Sequence, residues 1–268
     1  MLNVSVVIYK HEFNETSLIV TTLAKSEAIE TIYLIDNSPT RNEAFSKLGV
    51  EYIFNNKNLG YGAAHNIAIR KTIEQNVSYH LVINPDIKFE NRILDELVDF
   101  MQKNSDVGQL MPKVLYPNGE IQYLCKLLPT PSDLIFRRFL PKKWTEKSNS
   151  RFEMHNSGYN QIMDVPYLSG CFMLLRTDAL RHTGMFDERF FMYPEDIDLT
   201  RRVHRNYRTI FYPNVQVTHN HERGSYHNSR LFWIHLTNMI KYFNKWGWFF
   251  DSERKIINKK TLKQIKKS

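Results

Sequence analysis

The chain has 268 residues, 42% hydrophobic and 24% charged, the composition of a soluble globular protein long enough to bury a sizeable core. Two distant cysteines, Cys125 and Cys171, exclude a disulfide framework or zinc knuckle, and no stretch nears the roughly 20 apolar residues of a membrane span. The net charge of +8 sits at the end: residues 231–268 hold nine Lys or Arg against Asp251 and Glu253, so the body is close to neutral. That speaks against a nucleic-acid partner and for an anionic membrane surface or a flexible arm.

The opening MLNVSVVIYK has no basic leader before its β-branched residues, so no signal peptide is expected, and the free cysteines suit a reducing cytosol. Val4 to Tyr9 is a continuous apolar run, as in a strand buried on both faces of a parallel sheet. Asn14 to Lys25 reads as a helix. Thr31 to Ile35 is a second strand, ending in the turn Asp36-Asn37-Ser38-Pro39. Glu51 to Phe54 is a third, followed by a glycine-bearing loop, NNKNLGYGAAHN, that opens a helix. Tyr79 to Ile83 is a fourth, ending at Asn84-Pro85-Asp86, and a helix runs from about Asn91 to Lys103. Strand and helix alternating at this spacing predict an α/β fold with right-handed crossovers.

Beyond these, Gln109 to Ile121 reads as a strand and turn, and residues 125–160, polar and basic (RRFLPKKW), as an insertion or mobile loop. Val165 to Arg176 returns to a buried strand. Thr209 to Val217 is another, leading into THNHERGS, and Leu231 to Trp246 has apolar residues at helical spacing.

Ligands of such sheets bind beyond the carboxyl ends of the strands. Asp36, the Asn58–Gly62 loop and Asp86 all lie there, so three polar features converge on one crevice. A carboxylate at the Asn84-Pro85-Asp86 bend suits Mg²⁺ or Mn²⁺ with phosphate oxygens as further ligands; an ordinary strand-end turn accounts for it equally well. Gly60 and Gly62 lack the third glycine of a dinucleotide fingerprint, His65 standing in its place, so nicotinamide binding is not expected. His219 and His221 alternate along a strand end and face opposite ways, and Arg223 beside them could pair with a phosphate.

The densest chemistry lies in FDERFFMYPEDIDLTRR, residues 186–202. Glu195, Asp196 and Asp198 follow an aromatic run that would shield them, and a half-shielded carboxylate has the raised pKa of a general base. An acidic first helical turn behind Pro194 explains the same residues without catalysis.

Read together and in order, VSVVIYKH, LIDNSP, NKNLGYGAAHN, VINPDI, LSGCFMLLR, GMFDERFFMYPEDIDLTRR and VTHNHERGSY resemble glycosyltransferase family 2, and within it bacterial rhamnosyltransferases of surface-polysaccharide synthesis. The resemblance spans about Val4 to Trp246. It implies the GT-A fold over residues 1–230, with a nucleotide-sugar half (1–108) and an acceptor half (109–230), followed by a helix and basic tail (231–268). It implies an inverting transferase moving a sugar, L-rhamnose from dTDP-L-rhamnose or a hexose from a UDP donor, to a glycan or lipid-linked acceptor. Asp196 is then the base and Glu195 positions the acceptor, the two roles being exchangeable between neighbours. Asp36, Asn37, Asn58, Gly60, Asn66, Asn84, Asp86, Gly170 and Arg223 frame the donor, and Asp86 with His219 serves Mg²⁺ or Mn²⁺. Asn84 departs from the family's Asp-x-Asp pattern. The Gln-x-x-Arg-Trp motif of processive synthases is absent, which implies transfer of one sugar or a few. On the residues themselves, Trp246, Trp248, Phe249 and Phe250 followed by the tail cations suit a cytoplasmic protein peripheral to the inner membrane face, and a helix packed on the sheet with solvated lysines explains the same tail.

Two rivals are open on the residues alone. A nucleotidylyltransferase needs a Gly- and Arg-containing loop after the first strand, where this chain has Lys10-His11-Glu12. A non-catalytic membrane- or RNA-binding module explains the basic tail but not the carboxylates.

Overall fold

The computed structural model describes residues 1–90, 92–135, 142–220 and 229–265. Strand β1 (Leu2–Ile8) pairs in parallel with β2 (Ile29–Asp36) on one side and β4 (Tyr79–Ile83) on the other, and β3 (Glu51–Phe54) extends β2. Helices α1 (Phe13–Leu23), α2 (Tyr61–Glu74) and α3 (Arg92–Lys103) make the crossovers. The alternation along β1 decides which helix covers which face. Leu2, Val4, Val6 and Ile8 join Ile19 and Leu23 of α1 and Leu94 and Leu97 of α3 in the main core. The other face carries Asn3 and Ser5, buried under α2 because each finds a partner there: Asn3 donates to Thr72 and Gln75, and Ser5 lies 2.6 Å from His65 and 2.8 Å from His80.

The second half of the sheet changes direction. β10 (Phe172–Arg176) runs antiparallel between β4 and β6 (Val107–Leu115), and β11 (Arg208–His219) lies parallel to β6. Two short strands, β5 (Ile87–Lys88) and β8 (Met163–Asp164), pair with β11. Reversal of β10 places its first residues at the same edge where β1, β2 and β4 end. The run expected as one strand from Val165 is split there: β9 (Tyr167–Leu168) pairs with β7 (Cys125–Lys126), and the chain bends through Ser169, Gly170 and Cys171 before β10.

The described residues between 125 and 160 are not a loose insertion. Helices α4 (Pro131–Leu134) and α5 (Lys142–Phe152) frame a second core of Cys125, Leu127, Phe152, Met154, Tyr159 and Met163, laid against Met111 and Phe211 of the sheet. The Tyr159 hydroxyl, with the Cys125 N–H and the carbonyls of Cys125 and Glu153 around it, pins the segment. The stretch RRFLPKKW lies largely outside the described residues.

Helix α6 (Thr177–Thr183) follows β10, and α7 (Glu195–His204) carries the carboxylate cluster. Two helices close the chain, α8 (Ser229–Trp246) and α9 (Ser252–Ile265). Tyr242 and Phe243 of α8 pack on Phe190 and Ile197. Helix α9 lies on the second core: Asn258 exchanges two hydrogen bonds with the Leu128 backbone, and Gln264 does the same with Asp164. No described helix is long and apolar enough to cross a membrane.

Candidate active site

The crevice forms where β2 and β4 end and β10 begins. Asn84 N–H donates to the Cys171 carbonyl, so the strand end and the Gly170 bend share one wall. Pairing of His219 with Ile87 across β11 and β5 brings the imidazole beside Asp86, Nε2 to Oδ2 3.3 Å. The other ring nitrogen, Nδ1, lies 3.0 Å from the Gln122 amide oxygen, and the Gln122 amide donates to the His219 carbonyl, which fixes the ring plane. Burial opposes a charged His219, but the hydrogen bond to Asp86 and the neighbouring Cys171 outweigh it and push its pKa up to about 10. The pocket therefore favours a positive charge beside Asp86. His221 and Arg223 lie outside the described residues.

Asp196 and Glu195 open α7, and their settings differ. Asp196 is half-buried; its carboxylate accepts from the Gly170 N–H at 3.1 Å and from the Ile197 N–H at 2.8 Å. A Cβ at Gly170 would come within 3.3 Å of the Asp196 Cβ and 3.4 Å of the Tyr61 ring, so the glycine leaves room for the carboxylate and its donor. Glu195 is buried, and its Oε2 has no hydrogen-bond partner. Burial, then the adjacent Asp196 charge, holds Glu195 well above the usual carboxylate range. Burial also raises Asp196, against the pull of the Gly170 and Ile197 N–H groups. The two cannot readily ionise together, and the backbone donors favour the anion on Asp196.

Asp198 points away from the crevice, bonded to Arg202, Lys245 and the Trp246 indole. Asp187 is paired with Arg189 and Lys245.

On the opposite wall Asp36 is fully buried, accepting from the Ser38 N–H at 2.8 Å and the Tyr52 hydroxyl at 2.7 Å. Asn37 donates to the Gly60 carbonyl and accepts from Asn55, while Asn58 accepts from the Gly60 N–H. Gly60 has φ of +87°, and a Cβ there would lie 2.1 Å from the Phe191 carbonyl oxygen. The close approach this glycine permits is to the aromatic run: Phe191 accepts from the Tyr61 N–H at 2.9 Å. Asn66 works likewise, its amide spent on the Phe186 backbone and Glu188. Residues 186–191 are thus held against the start of α2.

Tyr61 was not singled out by sequence, although it stands between the two glycines that were. Its hydroxyl meets the Gly170 carbonyl at 2.6 Å and Asn84 Oδ1 at 3.0 Å, joining the two walls. Burial, with Cys171 and the carboxylates around it, keeps that hydroxyl protonated. Gln122 was also missed: its role rests on a contact 97 residues away in sequence, which no local pattern announces. Among the described residues, no three His, Cys, Asp or Glu side chains converge as a ready-made metal cage.

The family model for glycosyl transferase family 2 matches residues 6–184, well over half of the chain. The chain belongs to glycosyltransferase family 2. Among curated members, it is 29% identical over 177 residues to the N-acetylglucosaminyl-diphospho-decaprenol L-rhamnosyltransferase of Mycobacterium tuberculosis, covering 60% of this chain and 56% of that protein. It therefore spans little more than half the length of that relative. It is 27% identical over 206 residues to the rhamnosyltransferase WbbL of Escherichia coli K12, covering 72% of this chain and 73% of WbbL. The crystal structure of GalNAc-T7 with UDP, GalNAc and Mn²⁺ superposes with a TM-score of 0.58 at 14% identity, covering 82% of this chain and 43% of that one. The architecture is the GT-A fold, a central sheet flanked by helices.

Proposed function

We propose that this family 2 chain is an inverting glycosyltransferase carrying L-rhamnose from dTDP-L-rhamnose to a hydroxyl of a lipid-linked or polysaccharide acceptor. The observation that carries the reading is the seat of Asp196, an anion held by the Gly170 backbone beside the Tyr61–Asn84 bridge and the Asp86–His219 pair. A base and a cation-favouring pocket then share one crevice. The choice of rhamnose is supported by the two rhamnosyltransferase relatives.

In this reading the acceptor hydroxyl gives its proton to Asp196 as its oxygen bonds to the anomeric carbon, and the carbon–oxygen bond to the diphosphate breaks on the opposite face. A positioned base contributes roughly 10²–10⁴-fold. Glu195, protonated beneath, leaves the charge on its neighbour. Asp36 and Asn37 frame the nucleotide, Asp36 by exchanging its Tyr52 partner. Asn58, Gly60 and Asn66 act by holding the donor wall and the aromatic run in register.

The residues present fit a divalent cation. Asp86 offers a carboxylate at the strand end, and His219, its ring held by Gln122, would offer Nε2 once the ion displaces its proton, the remaining ligands being donor oxygens and water. When bound, such an ion would offset charge on the leaving diphosphate.

The test is a donor-hydrolysis and transfer screen over dTDP-, UDP- and GDP-sugars with and without Mn²⁺. Preference for a dTDP-sugar supports the reading; a UDP-hexose preference moves the donor, and no turnover of any sugar nucleotide overturns the enzyme.

A further inference from the structure

A cavity of about 1230 Å³ opens between the α4–α5 segment and α9, apart from the carboxylate crevice. Its charged lining has one sign. Lys147, Arg151, Lys255, Lys259 and Lys263 all line it, and among the described residues none of them is in an ion pair and no Asp or Glu lines it. The sixth cation, Arg254, is buried and spent on the carbonyls of Pro129 and Trp248.

Three of these lysines stand at i, i+4 and i+8 along α9, a spacing at which like charges oppose the helix. Docking does not need them, since α9 is fastened by Asn258, Thr261 and Gln264. Among the described residues no carboxylate offsets that cost, which points to a complement outside the chain.

Apolar surface adjoins the cations. Trp248, Phe249 and Leu262 line the same cavity, and in the loop between α8 and α9 Phe249 is 68% and Phe250 95% exposed. Phe250 does not line the cavity; it projects from the rim. A single-stranded nucleic acid would use aromatics inside the groove to stack bases. Of those inside this groove, Trp248 is packed on Phe243 and its indole donates to Asn244, which leaves the exposed phenylalanines, Phe249 in the lining and Phe250 beyond it, to meet the boundary between lipid headgroups and acyl chains.

We infer that this cavity binds the phosphate of an anionic phospholipid headgroup and seats the chain on a membrane face, with Phe249 and Phe250 entering the headgroup layer. Trp246 takes no part. Its ring is covered by Arg201 and Arg205 at 4.1 and 4.7 Å, and its indole donates to Asp198. The inference does not rest on the transferase reading, because binding needs neither donor nor acceptor.

The experiment is sedimentation of the full chain with vesicles at low salt. Phosphatidylcholine with about a third phosphatidylglycerol is expected to bind it about tenfold or more better than phosphatidylcholine alone. Lys259→Glu with Lys263→Glu should lower binding to the mixed vesicles by about tenfold, while Lys25→Glu with Lys47→Glu, exposed lysines elsewhere and the same change in net charge, should leave most of it. Phe250→Ser should weaken binding with no change in charge. Circular dichroism and thermal unfolding verify that each variant is folded. Equal losses in the two charge-reversed pairs would mean that only net charge acts and overturn the site. So would absence of vesicle binding, or binding of inorganic diphosphate or an RNA oligonucleotide in its place.

Discussion

Arg201 and Asp251 form a two-bonded ion pair sealed from water, with distances of 2.8 and 2.9 Å and both side chains buried. Glu253 adds a second carboxylate at 2.7 Å, and the Trp246 ring caps the guanidinium. Arg201 belongs to the helix that carries Asp196, and its partners lie at the start of α9, so α7 and the C-terminal helix are one structural unit.

Removing one member of a buried pair leaves the other charge without compensation. Arg201→Ala is expected to cost about 3–5 kcal/mol, read as a lower midpoint in urea denaturation. A cost below about 1 kcal/mol would mean that water reaches Asp251 in the folded protein.

The carboxylate assignment separates on two variants. Asp196→Asn should keep donor affinity while turnover falls by roughly 10²-fold or more. Glu195→Gln should retain far more activity. If the effects are reversed, the base is Glu195. The pH profile gives an independent reading: with Asp196 raised by burial, log kcat should climb with pH and level off above the ordinary carboxylate range.

Glu195 also makes a stability prediction whose sign is fixed. Its folded pKa lies above its unfolded value, so its contribution is complete below the unfolded pKa and is lost as pH rises through the folded one. Glu195→Gln, which imitates the protonated acid, is therefore expected to be more stable than the natural protein at pH 8, with the gap closing toward pH 4. Denaturation curves at the two pH values check this; a gap that widens on acidification would place a charged Glu195 in the fold.

Asp86→Ala should remove the dependence of nucleoside diphosphate affinity on Mn²⁺, measured by titration calorimetry with and without the metal. Unchanged metal dependence, or full activity of the natural chain in excess chelator, would take the cation away from Asp86.

Gly60→Ala tests the grip of α2 on the aromatic run. The new methyl would meet the Phe191 carbonyl at 2.1 Å from a backbone already at positive φ, so a loss of about 2 kcal/mol or more is expected. Thermal unfolding within a degree or two of the natural chain would show that residues 186–191 move aside freely.

Much of this organisation is legible in the sequence because it rests on short-range signals. The apolar runs of β1, β2 and β4, and the turn residues that end them, place Asp36, Asn84 and Asp86 on one edge without reference to any fold. The site's second wall is less legible. Gly170 reaches Asp196 only because β10 runs antiparallel, and strand direction leaves no trace in an apolar run. Residues 125–160 mislead for another reason: Leu127, Phe152, Met154 and Tyr159 are scattered among polar residues and become a core only against Met111 and Phe211. The tail misleads through its charge. A helix whose buried residues are Arg254 and Thr261, with half-buried Asn258 bonded beside them, shows no apolar stripe, so hydropathy alone reads it as solvated.

The Arg201 pair also bears on the order of events during synthesis. Domains generally fold as their residues leave the ribosome. The β1–β4 half can do so early, since its contacts are local. Helix α7 cannot settle on that schedule, because among the described residues the carboxylates that neutralise Arg201 lie 50 and 52 positions downstream. Until residues 251–253 emerge, a charge destined for burial stays in water and the helix bearing Asp196 stays unseated. A nascent chain stalled before that point would have a complete β1–β4 sheet beside an α7 still without its buried ion pair.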